Sequence, residues 1–247
     1  RHSGECRNPV VLILTFSCIS FHLAFVYVLC VNRKTPFPFT LFSLLLFSMN
    51  WKIIKEQLLY RGFFKVSHIE LKHDLFAGGE SEPIFRELLD RGHAAAVLPY
   101  DPVRDEVVLI EQFRIGAVED ASGPWLIEII AGLREPDESA EQLIHREAME
   151  EAGCIISDVI PVHHYYSSPG SSNEKIQIYF ARTETEGLGG VHGIDEEGED
   201  IRVHVVSSDT ALEWLDQGRI DSALPIIALQ WFRLNRDKIR KQWLEEI

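Results

Sequence analysis

Apolar and polar positions change their spacing several times along the chain, and each change marks a different element. Val10 to Val31 is an unbroken run of 22 residues in which His22 is the only acidic or basic side chain. As one helix it would be about 33 Å long, enough for the apolar part of a bilayer. Nearly balanced basic flanks and a second Phe-, Leu- and Pro-rich stretch weaken that reading, and ordinary charge density begins at Met49. We expect residues 1–48 to be translated upstream sequence outside the fold, with a membrane anchor or uncleaved signal as the alternative.

From Gln57 to Leu75 the pattern is extended, with Arg61-Gly62 as a turn signal, and it reads as a small β-subdomain. Two apolar runs around Asp101-Pro102 to Asp105 predict a hairpin, and Trp125 to Gly132 is a further apolar run. A helix follows: Ser139 and Gln142 have the spacing of a capping box, and Gly153 supplies the stop. Ile155 to Tyr166, Lys175 to Ala181 and Ile201 to Val206 read as strands. Asp209 to Gln217 and Ser222 to Trp243 are helical by period, with Arg236, Lys238, Arg240 and Lys241 placed to suit the last helix's dipole. Strands interleaved with helices and hairpins predict an α/β sandwich with a mixed sheet. The expected organisation is an extension over 1–48, an N-terminal β-subdomain over 49–91 and the main domain over 92–247.

The 247 residues carry 24 basic and 38 acidic side chains, a net charge of −14. Residues 1–48 contribute +3, so the remainder holds 20 basic against 37 acidic groups, or −17. A body this acidic repels a polyanion, which argues against nucleic acid as a partner. A small phosphorylated ligand stays compatible, because cations held by carboxylates reverse the local field. Of the four cysteines only Cys154 lies in the body, none forms a CxxC pair, and the pattern fits a reducing cytoplasm.

Glu147, Glu150 and Glu151 fall within one turn of the predicted helix, where i,i+3 and i,i+4 spacing crowds their carboxylates. Their repulsion is costly without a cation, and hard divalent ions such as Mg²⁺ favour oxygen ligands. Arg146 is an i,i+4 partner for Glu150 and orients it. The segment from Gly132 to Cys154 reads Gly, five residues, Glu138, seven residues, Arg146-Glu147, an apolar residue, any residue, Glu150-Glu151, any residue, Gly153, an apolar residue. It resembles the Nudix box. Ala148 and Cys154 stand where larger aliphatic residues are usual, a departure that concerns packing and not ligation.

The resemblance extends over roughly 50–247. Pro169 lies sixteen residues after Gly153 in SSPGSSNE, a spacing that marks the ADP-ribose pyrophosphatases of the superfamily, and RGFF at 61–64, residues 91–114 and residues 191–206 are similar to that bacterial group. It implies a Nudix α/β/α sandwich behind a small β-subdomain, and Mg²⁺-dependent cleavage of ADP-ribose to AMP and ribose 5-phosphate, with Mn²⁺ as a possible substitute. It also implies a homodimer that exchanges the subdomain. Residue by residue, Glu147, Glu151, Glu199 and the Ala131 carbonyl match metal ligands, and Glu197 matches the catalytic base, with Glu150 as its competitor on the helix. Arg114 is similar to an arginine near the phosphates, Phe63 and Arg86 to adenine-side contacts, Ser168 and Glu174 to contacts from the dimer partner, and Leu133 to a further substrate contact.

Other features read as structural: the run His163 to Tyr166 alternates faces on a strand, Trp125 and Trp231 belong to apolar-periodic runs, and Cys154 packs after the helix stop. Phe63 fits either the subdomain core or a base. Two other functions keep the same box: cleavage of another nucleoside diphosphate sugar or a dinucleotide, and non-catalytic sensing of ADP-ribose. The complete set of box glutamates argues against the sensor.

Overall fold

The computed structural model describes residues 10–18, 21–29, 48–194, 196 and 198–246. By their contacts the described parts of 1–56 and 69–86 form one compact unit, and those of 57–68 and 87–247 another.

Strands β1 (Val10–Cys18) and β2 (Phe21–Leu29) pair antiparallel, from Val10 opposite Leu29 to Cys18 opposite Phe21. The apolar run therefore folds back as two strands and is not the single helix that its length allows; Val, Ile, Thr, Phe and Tyr favour the pleated form. Among the described residues no helix is long and apolar enough to cross a membrane. The rest of the expected extension, residues 1–9, 19, 20 and 30–47, lies outside the described residues. Strands β3 (Trp51–Arg61), β4 (Lys65–His73) and β5 (Ile84–Asp90) form a three-stranded sheet in that order. All eleven residues of β3 are exposed, Trp51 and Leu59 among them.

The main sheet contains β6 (Ala94–Asp101), β7 (Glu106–Phe113), β8 (Trp125–Glu128), β9 (Ile130–Leu133), β10 (Ser157–Tyr166), β11 (Lys175–Arg182), β12 (Gly190–His192) and β13 (Ile201–Ser207). Its order is β10-β11-β6-β7-β13-β12, with β8 on β7 and β9 on β6. Only β11 and β6 run parallel among the pairings of this order, so the sheet is mixed as expected. The apolar run from Trp125 to Gly132 is shared by two short strands that serve different neighbours.

Helix α1 (Ala140–Ala152) covers one face of the sheet, where Leu143, Ile144, Ala148 and Ala152 pack with Ala95, Val97, Val108 and Ile110. Helices α2 (Ser208–Asp216) and α3 (Ala223–Glu245) cover the other, over Ala96, Leu98, Tyr100, Val107 and Leu109. Alternation along β6 and β7 thus feeds two cores, the α/β/α sandwich that the pattern predicts.

Two expectations need correction. Trp125 is 61% exposed and not a core residue; it sits edge-on to Phe113, its cross-strand partner in the β7–β8 pair. Trp231 does pack against Phe180, with ring centroids 5.4 Å apart. The cations of α3 also behave differently, since no basic residue falls in its last turn. Arg236 and Arg240 instead reach Asp105 in the β6–β7 turn, Arg236 through Nε at 3.1 Å and Nη2, Arg240 through Nη1 at 2.8 Å. Tyr100 and Ser208 hydroxyls donate to the same carboxylate at 2.8 and 2.9 Å. Burial pushes the Asp105 carboxyl upward, but these hydrogen bonds, led by Arg236, outweigh it and hold the carboxyl at about 2.

Candidate active site

Both ends of α1 are closed by the residues that the spacing singles out. Ser139 Oγ accepts from the Gln142 amide at 3.2 Å, and Gln142 Oε1 accepts from the Ser139 amide at 2.8 Å. Gly153 adopts φ 59°, which lets its amide and that of Cys154 turn back to the carbonyls of Met149 and Ala148. With the helix so fixed, Glu147 and Glu151 leave from its buried side and meet β9. Ala148 and Cys154, the two departures from the box, are both buried in the core beneath.

The approach is close. A Cβ on Gly132 would lie 1.9 Å from Glu147 Oε1, so only glycine leaves room for that carboxylate. Glu151 is 2% exposed and accepts from the Ala131 amide at 2.9 Å. Burial raises the Glu151 carboxyl to about 8, opposed by the Ala131 bond and Arg114 and reinforced by the charges of Glu147 and Glu199. Burial likewise raises Glu147 to about 7, with Arg146 opposing and Glu150 and Glu199 adding to the rise. Two carboxylates withdrawn from water and within each other's field call for positive charge.

Arg146 supplies some of it. Its Nη1 lies 2.9 Å from Glu147 Oε1 and 2.7 Å from Glu150 Oε2, while its Nε and Nη2 donate to Glu138 at 3.0 and 3.3 Å. Glu150, half-buried, is therefore held by the arginine one turn earlier, which it shares with Glu147. Among the described residues no basic side chain forms an ion pair with Glu151.

The acidic loop approaches the same end of the helix. The Gly193 amide donates to the Glu150 carbonyl at 3.3 Å, and Glu199 Oε2 accepts from the Ile194 amide at 3.1 Å. Gly193, at φ 108°, lies so near Glu199 that a Cβ would come within 2.7 Å of the glutamate's own. Glu199 is thereby held where its charge acts on both Glu147 and Glu151. Glu197, expected as the base, lies outside the described residues. Arg114 follows β7, and its Nε and Nη2 both lie 2.8 Å from Glu128 Oε2.

The donor chemistry is that of hard-cation binding: carboxylate oxygens from two elements beside a backbone strand, with Gly132 yielding the space. As they stand, no three His, Cys, Asp or Glu side chains among the described residues are closed around a common point.

A family model, the Nudix domain, matches residues 90–225. ADP-ribose pyrophosphatase of Escherichia coli (strain K12) is 46% identical over 192 residues, covering 78% of this chain and 92% of that protein. The chain belongs to the Nudix family. ADP-ribose pyrophosphatase of Haemophilus influenzae is 43% identical over 195 residues, covering 78% of this chain and 90% of the relative. A GDP-mannose pyrophosphatase of Cronobacter sakazakii is 37% identical over 189 residues, covering 76% and 97%. Among solved structures, an ADP compounds hydrolase superposes with a TM-score of 0.58 at 20% identity, over 77% of this chain and 96% of that one. It shares the Nudix fold.

Leu133 ends β9, half-buried and paired with Ala94. Phe63 is 84% exposed, edge-on to Phe64, so a single chain does not use it as core. Arg86 is exposed on β5 and donates to the Phe85 carbonyl at 2.7 Å. Ser168 opens a turn, its carbonyl accepting from Ser171 and Ser172. Glu174 is 4% exposed and holds Arg91 Nε at 3.1 Å. Arg91, which sequence reasoning passed over, also lies over the Phe64 ring at 5.3 Å and so ties Glu174 to the neighbour of Phe63. Glu128 was passed over as well, although it is the one charged residue in the apolar run Trp125–Gly132.

Proposed function

We propose that the chain hydrolyses the diphosphate of ADP-ribose to AMP and ribose 5-phosphate. The observation that carries this reading is the buried pair Glu147 and Glu151 against Ala131 and Gly132, with the charge of Arg114 acting on Glu151. ADP-ribose as the substrate is supported by the relatives of that activity at 46% and 43% identity. The GDP-mannose pyrophosphatase at 37% favours a second reading, the same chemistry on another nucleoside diphosphate sugar.

Glu147, Glu151, Glu199 and the Ala131 carbonyl would hold a divalent cation, Mg²⁺ first and Mn²⁺ as a substitute. Bound there, it supplies charge neutralisation on the transferring and leaving oxygens. Arg114 binds a phosphate, and α1 with its two caps keeps the carboxylates rigid while substrate arrives. The proton of the attacking water goes to Glu197. Glu150 is the weaker candidate, because its Oε2 is already occupied by the guanidinium at 2.7 Å. Glu197→Gln is expected to lower kcat roughly 10²–10⁴-fold, and Glu150→Gln less; the reverse order in steady-state kinetics would put the base on the helix.

The exposed Trp51, Ile53, Ile54, Leu58, Leu59 and Tyr60 of β3 support a homodimer in which a second copy covers the subdomain. Ser168 and Glu174 then belong to the neighbouring subunit's site, with Phe63 and Arg86 on the adenine side and Leu133 beside the box. We divide the chain into an extension over 1–48, this subdomain over 49–91 and the Nudix domain over 92–247. The cytoplasm suits a body with one free, buried thiol, Cys154.

A panel of nucleoside diphosphate sugars with product identification tests the function. ADP-ribose is expected to be cleaved fastest with release of AMP; equal or faster cleavage of GDP-mannose would move the substrate to the second reading.

A further inference from the structure

We propose that Glu128 is the positioning residue for Arg114, setting the guanidinium that receives the substrate's diphosphate. This inference rests on the proposed reading of Arg114 as a phosphate contact.

Glu128 sits in an expensive place. It adds a carboxylate three residues before Ala131, the residue whose amide holds Glu151, and a site meant for a diphosphate gains nothing from more negative charge. It is also withdrawn from water, its side chain 12% exposed. Its backbone is fixed on β8 opposite Ile110 and three residues before Ala131, so it is built into the same stretch of chain that carries the box glycine.

Arg114 needs such a partner. It lies just beyond β7, at the start of a single 3₁₀ turn over Ile115–Ala117, with its amide bonded to the Pro124 carbonyl at 2.8 Å. Its side chain is 44% exposed and would otherwise sample many rotamers. Glu128 Oε2 takes both Nε and Nη2 at 2.8 Å, which fixes the plane of the guanidinium from one edge. The N–H groups on its other edge are left to a ligand, and the charge of Arg114 reaches Glu151 from that position. An arginine already ordered loses less on binding, and a group placed within a fraction of an ångström serves the transition state better than the ground state.

Removing Glu128 therefore has two opposite effects. Net positive charge at Arg114 rises, which holds KM level or lowers it, while the lost orientation lowers kcat. Glu128→Ala is expected to reduce kcat about 10- to 100-fold with KM unchanged or lower. Glu128→Gln keeps an acceptor oxygen of the same reach and is expected to lose less. In the Arg114→Ala background, Glu128→Ala is expected to change kcat/KM by no more than about twofold, because a residue that acts through Arg114 has nothing left to position.

The experiment is this double-mutant cycle in the full chain, run on ADP-ribose and GDP-mannose in parallel, with the melting temperature of each variant. If Glu128→Ala does not fold, the Glu128→Gln cycle takes its place. ADP-ribose cleavage with additive losses overturns the role of Glu128 and leaves the function standing. Preferred cleavage of GDP-mannose with a non-additive cycle overturns the substrate and leaves Glu128 standing. A kcat loss matched by a melting-temperature loss in both backgrounds makes Glu128 structural, and a wild type that cleaves neither compound overturns both readings.

Discussion

Asp105 beneath α3 and Glu151 on the buried side of α1 are both carboxylates taken out of water, one with its side chain 15% exposed and the other a residue 2% exposed. Burial pushes each upward, yet Asp105 is held at about 2 and Glu151 is raised to about 8. The difference lies in their partners. Asp105 takes two arginines and two hydroxyls, so the fold itself completes its charge and hydrogen bonds. Glu151 takes one amide and faces Glu147 and Glu199, an arrangement that the fold alone leaves incomplete. A completed carboxylate braces helices against a hairpin; an incomplete one is prepared for something that arrives later.

Removing each carboxylate is expected to give opposite signatures. Glu151→Gln is expected to lower kcat roughly 10³-fold, the scale of losing a group that stabilises developing charge, with melting temperature equal to wild type or higher, since a neutral amide needs no cation. Asp105→Asn is expected to cost about 3–5 kcal/mol in denaturant unfolding, because it removes the buried carboxylate that Arg236 and Arg240 share, while activity per folded molecule stays within about twofold. Equal stability losses in the two variants would erase the distinction.

Gly132→Ala sharpens it from the backbone side. The added methyl would push the Glu147 carboxylate away, and a displacement of about 1 Å costs up to about 10²-fold in rate. Kinetics with a parallel thermal melt separate this from general unfolding. The smallest effect concerns acid. Asp105 is depressed in the folded state, so its contribution is complete above the ordinary carboxyl value of 3.8 and is lost as pH falls through about 2. This amounts to about 2 kcal/mol, and pH-dependent unfolding of wild type against Asp105→Asn is expected to reveal it only in the wild type.

What could be read in the sequence follows from how local each feature is. The caps Ser139, Gln142 and Gly153 act within one turn of α1, and the alternation in β6 and β7 acts within single strands, so both were legible. The box placed Glu147 and Glu151 on one face for the same reason. Arg236 and Arg240 were read as dipole partners because nothing local connects α3 to a turn 131 residues earlier. Trp125 looks like core because an apolar run does not reveal which of its residues the fold leaves exposed. β5 escaped because its exposure, with Ile84 half-buried and Phe85 to Glu87 exposed, does not alternate. Glu128 carried a signal, a lone charge in an apolar run, but its partner Arg114 lies 14 residues away across a strand connection.

The most direct test of the central claim is the melting temperature of the metal-free protein as Mg²⁺ is added, in wild type and Glu151→Gln. If α1 and β9 form an incomplete cation site, wild type gains about 2.7 kcal/mol at a hundredfold excess over Kd, a rise of several degrees, and Glu151→Gln gains little. Equal rises in both proteins, or none in wild type, would contradict it.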